Sequence, residues 1–275
     1  MEWSKLKTII LLMLAGVNLF LLLLVGLRAW RGATHEDETR QAAVTVLEQG
    51  GIAFGPERVP DDLRLPALSL SRDRESEEEA ARALLGQVTR TTEEGGVRPR
   101  YVGEAGTAEF SVNGAFLVEF AGEARALQPG QSVEEASRDC LALIGFQAGA
   151  GTTETRGDET VYTCVQLWEG SPVFSCRAVL TWRGEVLVRM EGSRLAGEAS
   201  SASGQGLLST PTVLLRFLAG LSDGGYVCGR IDGMEAGYLT GGSGRTVQLT
   251  PVWRMSTDTG DYYVDAATGA VTPAE

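Results

Sequence analysis

The sequence predicts an α+β protein: one membrane helix, then repeated units of a helix packed on an antiparallel sheet. Three observations carry this. Thr8–Leu27 is uncharged and almost wholly apolar. Downstream, two Ser-x-x-Glu capping boxes and one Thr-Pro pair each open a helix. Strand-like runs joined by short turns follow each of those helices.

The apolar run comes first. Twenty helical residues at ~1.5 Å each span about 30 Å, the depth of a bilayer's hydrocarbon core. A cleavable signal has an apolar core of about 7–15 residues and a small-residue exit. Here the exit is Leu27-Arg28-Ala29-Trp30-Arg31, bulky and basic, so the helix is read as an uncleaved anchor. Lys5 and Lys7 precede it, and Arg28 and Arg31 follow, so the positive-inside rule is nearly balanced. A long downstream domain translocates largely regardless of its charge. The expectation is therefore a single-pass protein of a bacterial cell membrane, N-terminus cytoplasmic, with an extracytoplasmic C-terminal domain. Trp3 and Trp30 suit the two interfaces. Asn18 is the one strongly polar side chain inside, and a partner helix would stabilise its amide by ~1 kcal/mol. These three residues are the expected contacts within the membrane; the plainer alternative is that Asn18 faces lipid.

Residues 36–49 read as a helix with Ala42, Ala43, Val46 and Leu47 on one stripe, ended by Gly50-Gly51. Residues 51–75 are Pro- and Arg-rich and read as irregular. Ser76-Glu77-Glu78-Glu79 is a capping box opening a helix to about Arg90. Strands follow at 108–112 and 115–120, joined by Asn113-Gly114, a hairpin signal. Ser132-Val133-Glu134-Glu135 is the second box, with a helix to about Phe146. Strands at 160–168, 173–182 and 185–191 follow. Residues 196–206, rich in Gly, Ser and Ala, suit a flexible connection. Thr210-Pro211 starts the third helix, and Gly220 ends it. The last strands are expected at 226–231, 237–240, 246–255, 261–265 and 270–272. The chain thus divides into a stub and membrane helix at 1–30, a first α+β unit at 31–130, and a C-terminal α+β region at 131–275.

The formal charge is −12. Lys5, Lys7 and Arg28 against Glu2 make the first thirty residues +2, leaving −14 for the rest. An acidic domain with scattered arginines is a poor nucleic-acid binder and a poor ligand for anionic lipid head groups or wall polymers.

Catalytic chemistry finds little to build on. The only histidine, His35, lies near the membrane, and Ser-His or Cys-His chemistry would have to form there. Ser-Lys chemistry lacks its lysine, because Lys5 and Lys7 are the only ones. HExxH, P-loop and GxSxG motifs are missing from the sequence. Many carboxylates are present, but no pair stands out. The expectation is a protein without catalytic residues, metal or cofactor, and not an enzyme. Four cysteines occur, none in CxxC spacing. Cys164 and Cys176 are symmetric about Gly170 and could face each other across a hairpin as a disulfide. The alternative is free thiols packed as small apolar groups.

Three segments carry a family resemblance. The first is Glu2-Trp3-Ser4-Lys5-Leu6-Lys7-Thr8-Ile9 running into Asn18-Leu19-Phe20. The second is Gln166-Leu167-Trp168-Glu169-Gly170-Ser171-Pro172-Val173-Phe174. The third is Thr250-Pro251-Val252-Trp253-Arg254-Met255 with Asp261-Tyr262-Tyr263-Val264-Asp265-Ala266-Ala267-Thr268-Gly269. Together they resemble the YycI family of bacterial regulatory proteins, related to YycH and to PepSY-like repeats. Residues 51–155 carry no such match. The resemblance marks Pro251, Trp253, Tyr263, Ala266 and Gly269 as fold signatures. Trp253 and Tyr263 are expected as core aromatics, and Gly269 as a positive-φ turn residue. Pro251 is expected at a strand start or edge. The resemblance implies PepSY/YycH-like units and a non-enzymatic regulator of a cell-wall-sensing two-component histidine kinase of the WalK/YycG type. The implied partners are that membrane kinase and a YycH-like regulator, with contacts that include the membrane helix. The alternative is a PepSY-type extracytoplasmic module that inhibits a protease or binds wall material.

Overall fold

A computed structural model describes residues 37–71, 75–92, 99–111, 114–202, 206–242 and 246–274. The membrane-helix expectation at 1–30, with Trp3, Asn18 and Trp30, lies outside these residues. Among the described residues no helix is long and apolar enough to cross a membrane.

Four described α-helices alternate with strands. Helix α1 covers 37–49 and ends at Gly50 as expected. Its buried stripe is Ala43, Val44 and Leu47, one position round from the expected one, and Val46 is exposed. Helix α2, Glu75–Leu85, starts one residue before Ser76, so Ser76 sits inside the first turn. It stops at Gly86, whose φ is +80°, and Arg90 falls in a strand instead. Helix α3, Val133–Ala142, carries both hydrogen bonds of its capping box, with Ser132 and Glu135 each satisfying the other's backbone N–H. Helix α4, Thr210–Gly224, has Pro in its first turn and runs past Gly220 to a left-handed cap at Gly225.

Among the described residues there are fourteen strands, in chain order: β1 Leu68–Ser71, β2 Val88–Thr92, β3 Pro99–Gly103, β4 Gly106–Phe110, β5 Ala115–Phe120, β6 Ala148–Arg156, β7 Glu159–Trp168, β8 Ser171–Arg183, β9 Val186–Ser193, β10 Glu198–Ser201, β11 Ile231–Gly241, β12 Thr246–Thr257, β13 Gly260–Asp265 and β14 Val271–Pro273. All fourteen belong to one sheet. This overturns the expected repeat of separate helix-plus-sheet units. The continuous sheet crosses both expected units, and β1 from the first pairs with β12 of the second. Helix-then-meander order does recur along the chain, but it says nothing about which strands join. The stretch expected to be flexible at 196–206 contains β10, which pairs with β1.

The sheet forks at β8. Ala178 of β8 lies between Cys164 of β7 and Gly192 of β9. Val173, earlier on the same strand, lies between Gln166 of β7 and Tyr238 of β11. Strand β8 therefore offers one edge to β7 along most of its length. The other edge serves β9 at one end and β11 at the other. The β9 branch continues through β5, β4, β3 and β2; the β11 branch continues through β12, then β1 and β10 or β13 and β14.

Two helix-covered cores follow from this. Helices α2 and α3 cover the β9 branch, burying Leu84, Leu85, Leu141 and Ile144 with Phe110, Tyr162 and Trp182. Helices α1 and α4 cover the β11 branch, burying Leu47, Phe217, Trp253, Met255 and Val264. A smaller cluster of Leu70, Val173, Cys176, Leu195 and Tyr238 bridges them under the fork.

Where the branches part, backbone groups lose their ladder partners, and burying them unpaired is costly. Side chains replace those partners. The buried amide of Gln166 donates to Leu195 O at 3.0 Å, and its Oε1 accepts from Leu195 N at 2.7 Å. Ser175 Oγ accepts from Thr240 N at 2.8 Å. Next to Leu195, buried Arg194 donates to Ile144 O and to Ser76 O, and its guanidinium lies 5.0 Å from the Phe110 ring centre.

Replacing Gln166 by Leu keeps the side chain's bulk and orphans both groups of Leu195. At about 1–3 kcal/mol per buried orphan, Q166L should lower the unfolding free energy by roughly 2–6 kcal/mol. A urea unfolding midpoint equal to the parent's would show that the clamp does not hold the fork.

Candidate functional site

On the side that the described helices leave uncovered, β6, β7 and β8 form a cleft with β11 and β12. In-register neighbours Glu235 of β11, Arg254 of β12 and Tyr263 of β13 share this face. The next residues along, Met234, Met255 and Tyr262, point into the α1/α4 core. From β8, Phe174 reaches over the same face. Its ring stacks on Tyr263, with centres 5.4 Å apart and planes 27° off parallel. The Arg254 guanidinium lies 4.9 Å from the Phe174 ring centre, and Arg254 pairs with Glu235 at 2.5 Å. Arg254 Nε is buried without a hydrogen bond among the described residues, with Asp261 Oδ2 4.0 Å away.

Phe174 fits there because Gly237 lies beneath it. A Cβ at Gly237 would stand 2.6 Å from Phe174 Cε2 and 2.5 Å from Pro172 O. Only a residue without a side chain lets ring and strand approach so closely.

The cleft holds about 400 Å³, within the range of about 300–1,000 Å³ for ligand sites. Its wall runs from Ala150 and Thr152 of β6 through Thr163 of β7 to Arg177, Phe174 and Arg254. Burial raises the phenol pKa of Tyr263, and the positive charges of Arg254 and Arg177 pull it back down. Both guanidinium groups therefore act on one aromatic corner. Arg177 is exposed and has no ion-pair partner among the described residues.

The expected fold signatures divide between the two faces. Trp253 is buried in the α1/α4 core, its indole N–H without a hydrogen-bond partner among the described residues. Ala266 is buried in the same core. Tyr263 faces the cleft and stacks on Phe174. Gly269 takes φ +76° in the turn between β13 and β14, where the Asp265 carboxylate accepts from Ala267 N and Thr268 N. Pro251 sits within β12 rather than at its start or edge. Its carbonyl accepts from Ala266 N at 3.0 Å, on the β13 side. A strand residue's N–H and C=O point to the same edge. The proline's missing N–H therefore falls between β1, which ends its pairing at Leu249, and β13, which begins at Val252.

The disulfide expectation fails. All four cysteines are free thiols. A register shift between Val165 and Gln166 places Cys164 opposite Ala178, and Cys176 drops into the bridging cluster. Symmetry about Gly170 assumes an unbroken ladder. Burial pushes the thiols of Cys164 and Cys176 up to about 11, and raises those of Cys140 and Cys228. Such thiols are protonated near neutral pH and are poor nucleophiles. Among the described residues no group of His, Cys, Asp and Glu could hold a metal ion.

Sequence reasoning does not find Arg177, Glu235 and Arg254 as site residues. Nothing local marks them, since the β8–β11 contact joins Val173 to Tyr238, far apart in the chain.

No family model matches the chain, and no curated protein does either. Among solved structures it is similar to an uncharacterized protein from Eubacterium rectale. That likeness has TM-score 0.49 and 12% identity, and covers 77% of this chain and 86% of that one. It is also similar to the Bacillus megaterium YpeB C-terminal domain, with TM-score 0.36 and 9% identity, over 75% and 99% of the chains. Likenesses this distant carry no functional argument, and the YycI resemblance has no family match beside it.

The aromatic corner can be tested through its glycine. Gly237→Ala forces Phe174 off its stack, so the near-ultraviolet circular dichroism of Tyr263 and Phe174 should change, with a stability loss of about 1–3 kcal/mol. An unchanged spectrum would mean that the ring does not rest on Gly237.

The thiols give a pH dependence. A raised folded-state pKa means that their stabilisation is complete below the unfolded value of about 9 and fades between about 9 and about 11. For Cys176, the more deeply buried of the two, the loss is on the order of 2–3 kcal/mol. Urea midpoints should therefore fall over that window, and by less in Cys176→Ala.

Proposed function

We propose that this chain is a membrane-tethered, non-enzymatic regulator that acts by contact with a cell-wall-sensing histidine kinase of the WalK/YycG type. The observation that carries the reading is the uncharged run Thr8–Leu27, long enough to span a bilayer and followed by a large acidic domain. The segments resembling the YycI family, which include Trp3, Asn18, Trp253 and Tyr263, support this class of partner.

The mechanism is coupling. A tethered domain that binds one kinase state better than another shifts the balance between them, typically by about 1–3 kcal/mol. Contact inside the membrane would run through Asn18, whose amide gains most from a partner helix.

The test replaces residues 1–30 with an unrelated membrane anchor and follows phosphorylation of the kinase's response regulator. The expected outcome is altered output with the outer domain still folded. Unchanged output would count against control through the helix. Protease inhibition or wall binding that survives the swap would favour the PepSY-type alternative.

A further inference from the structure

We infer that the cleft on the helix-free face binds an extended, carboxylate-bearing peptide segment. This goes beyond the regulatory reading, which does not need the cleft.

Size and shape come first. The lining residues belong to five neighbouring strands: β6, β7, β8, β11 and β12. At about 4.8 Å between strands, that wall is roughly 19 Å across. About six extended residues at ~3.3 Å each match that distance. A single amino acid would fill only one end.

Charge selects the ligand's sign. The wall carries Arg177 and Arg254; Glu235 and Asp261 both lie against Arg254, which leaves Arg177 as the charge that selects a ligand's sign. Arg254 is held by its pair with Glu235 and by the Phe174 ring. Arg177 has no ion pair among the described residues, so its guanidinium is available to a ligand carboxylate. Thr152 and Thr163 add hydroxyls, while Val165, Leu167 and Pro172 add apolar surface for alternate side chains.

The test uses the full chain in detergent micelles and a fluorescein-labelled octapeptide of alternating Glu and Thr, read by fluorescence anisotropy. Saturable binding is expected, weakening as salt is raised. The Gln-for-Glu peptide and the Arg177→Glu variant should each bind about tenfold or more weakly. Arg177 is exposed, so this variant should keep the parent's unfolding midpoint. Thr163→Trp, which fills the cleft without touching a charge, should also block binding. The inference is overturned by no saturable binding, by equal binding of the Gln peptide, or by full binding to either variant. It is also overturned if free glutamate competes as well as the peptide at equal carboxylate concentration. None of these results bears on the anchor swap, so the two readings fail separately.

Discussion

The structure depends on one strand doing two jobs. Strand β8 keeps β7 on one edge and divides the other between β9 and β11. Two partners cannot meet on one edge without a gap in the ladder, and buried backbone groups in such a gap are costly. Gln166 and Ser175 fill it with side-chain hydrogen bonds to Leu195 and Thr240. The extra residues of β8 near Phe174 and Cys176 are the geometric result. Phe174 turns to the helix-free face, and Cys176 turns into the bridging cluster.

The cleft is a consequence of the same fork. The described helices cover one face of the sheet on each side of β8, and the opposite faces of β6, β7 and β8 and of β11 and β12 line the cleft. Phe174 stands where they meet and organises the charged groups around it. Its ring holds the Arg254 guanidinium, which also pairs with Glu235. An arginine fixed in this way loses less side-chain freedom when a ligand arrives.

Local features are legible in the sequence, and non-local ones are not. The Ser132–Glu135 box needs only four residues, and its helix starts where expected but ends at Ala142 rather than near Phe146. Strands β7, β8 and β9 are joined by short turns, and their runs can be read to within two residues. Strand β6 escapes because Ala148-Gly149-Ala150-Gly151 has little strand propensity, so pairing with β7 decides it. Strand β1 is four residues of Leu-Ser alternation, held between β10 and β12. The fork itself joins Val173 to Tyr238, and no local pattern encodes that contact. The disulfide expectation fails for the same reason: a register shift is invisible from spacing.

The fork also settles which core the chain's N-terminal part joins. Helix α1 packs with α4 over β11, β12 and β13, although the whole β9 branch lies between the two helices in the chain. Those three strands carry Trp253 and Met255 on the helix side and Arg254 and Tyr263 on the cleft side. Packed cores resist continuous deformation, so a displacement of α1 would be passed through Trp253 and Met255 to the strands rather than absorbed.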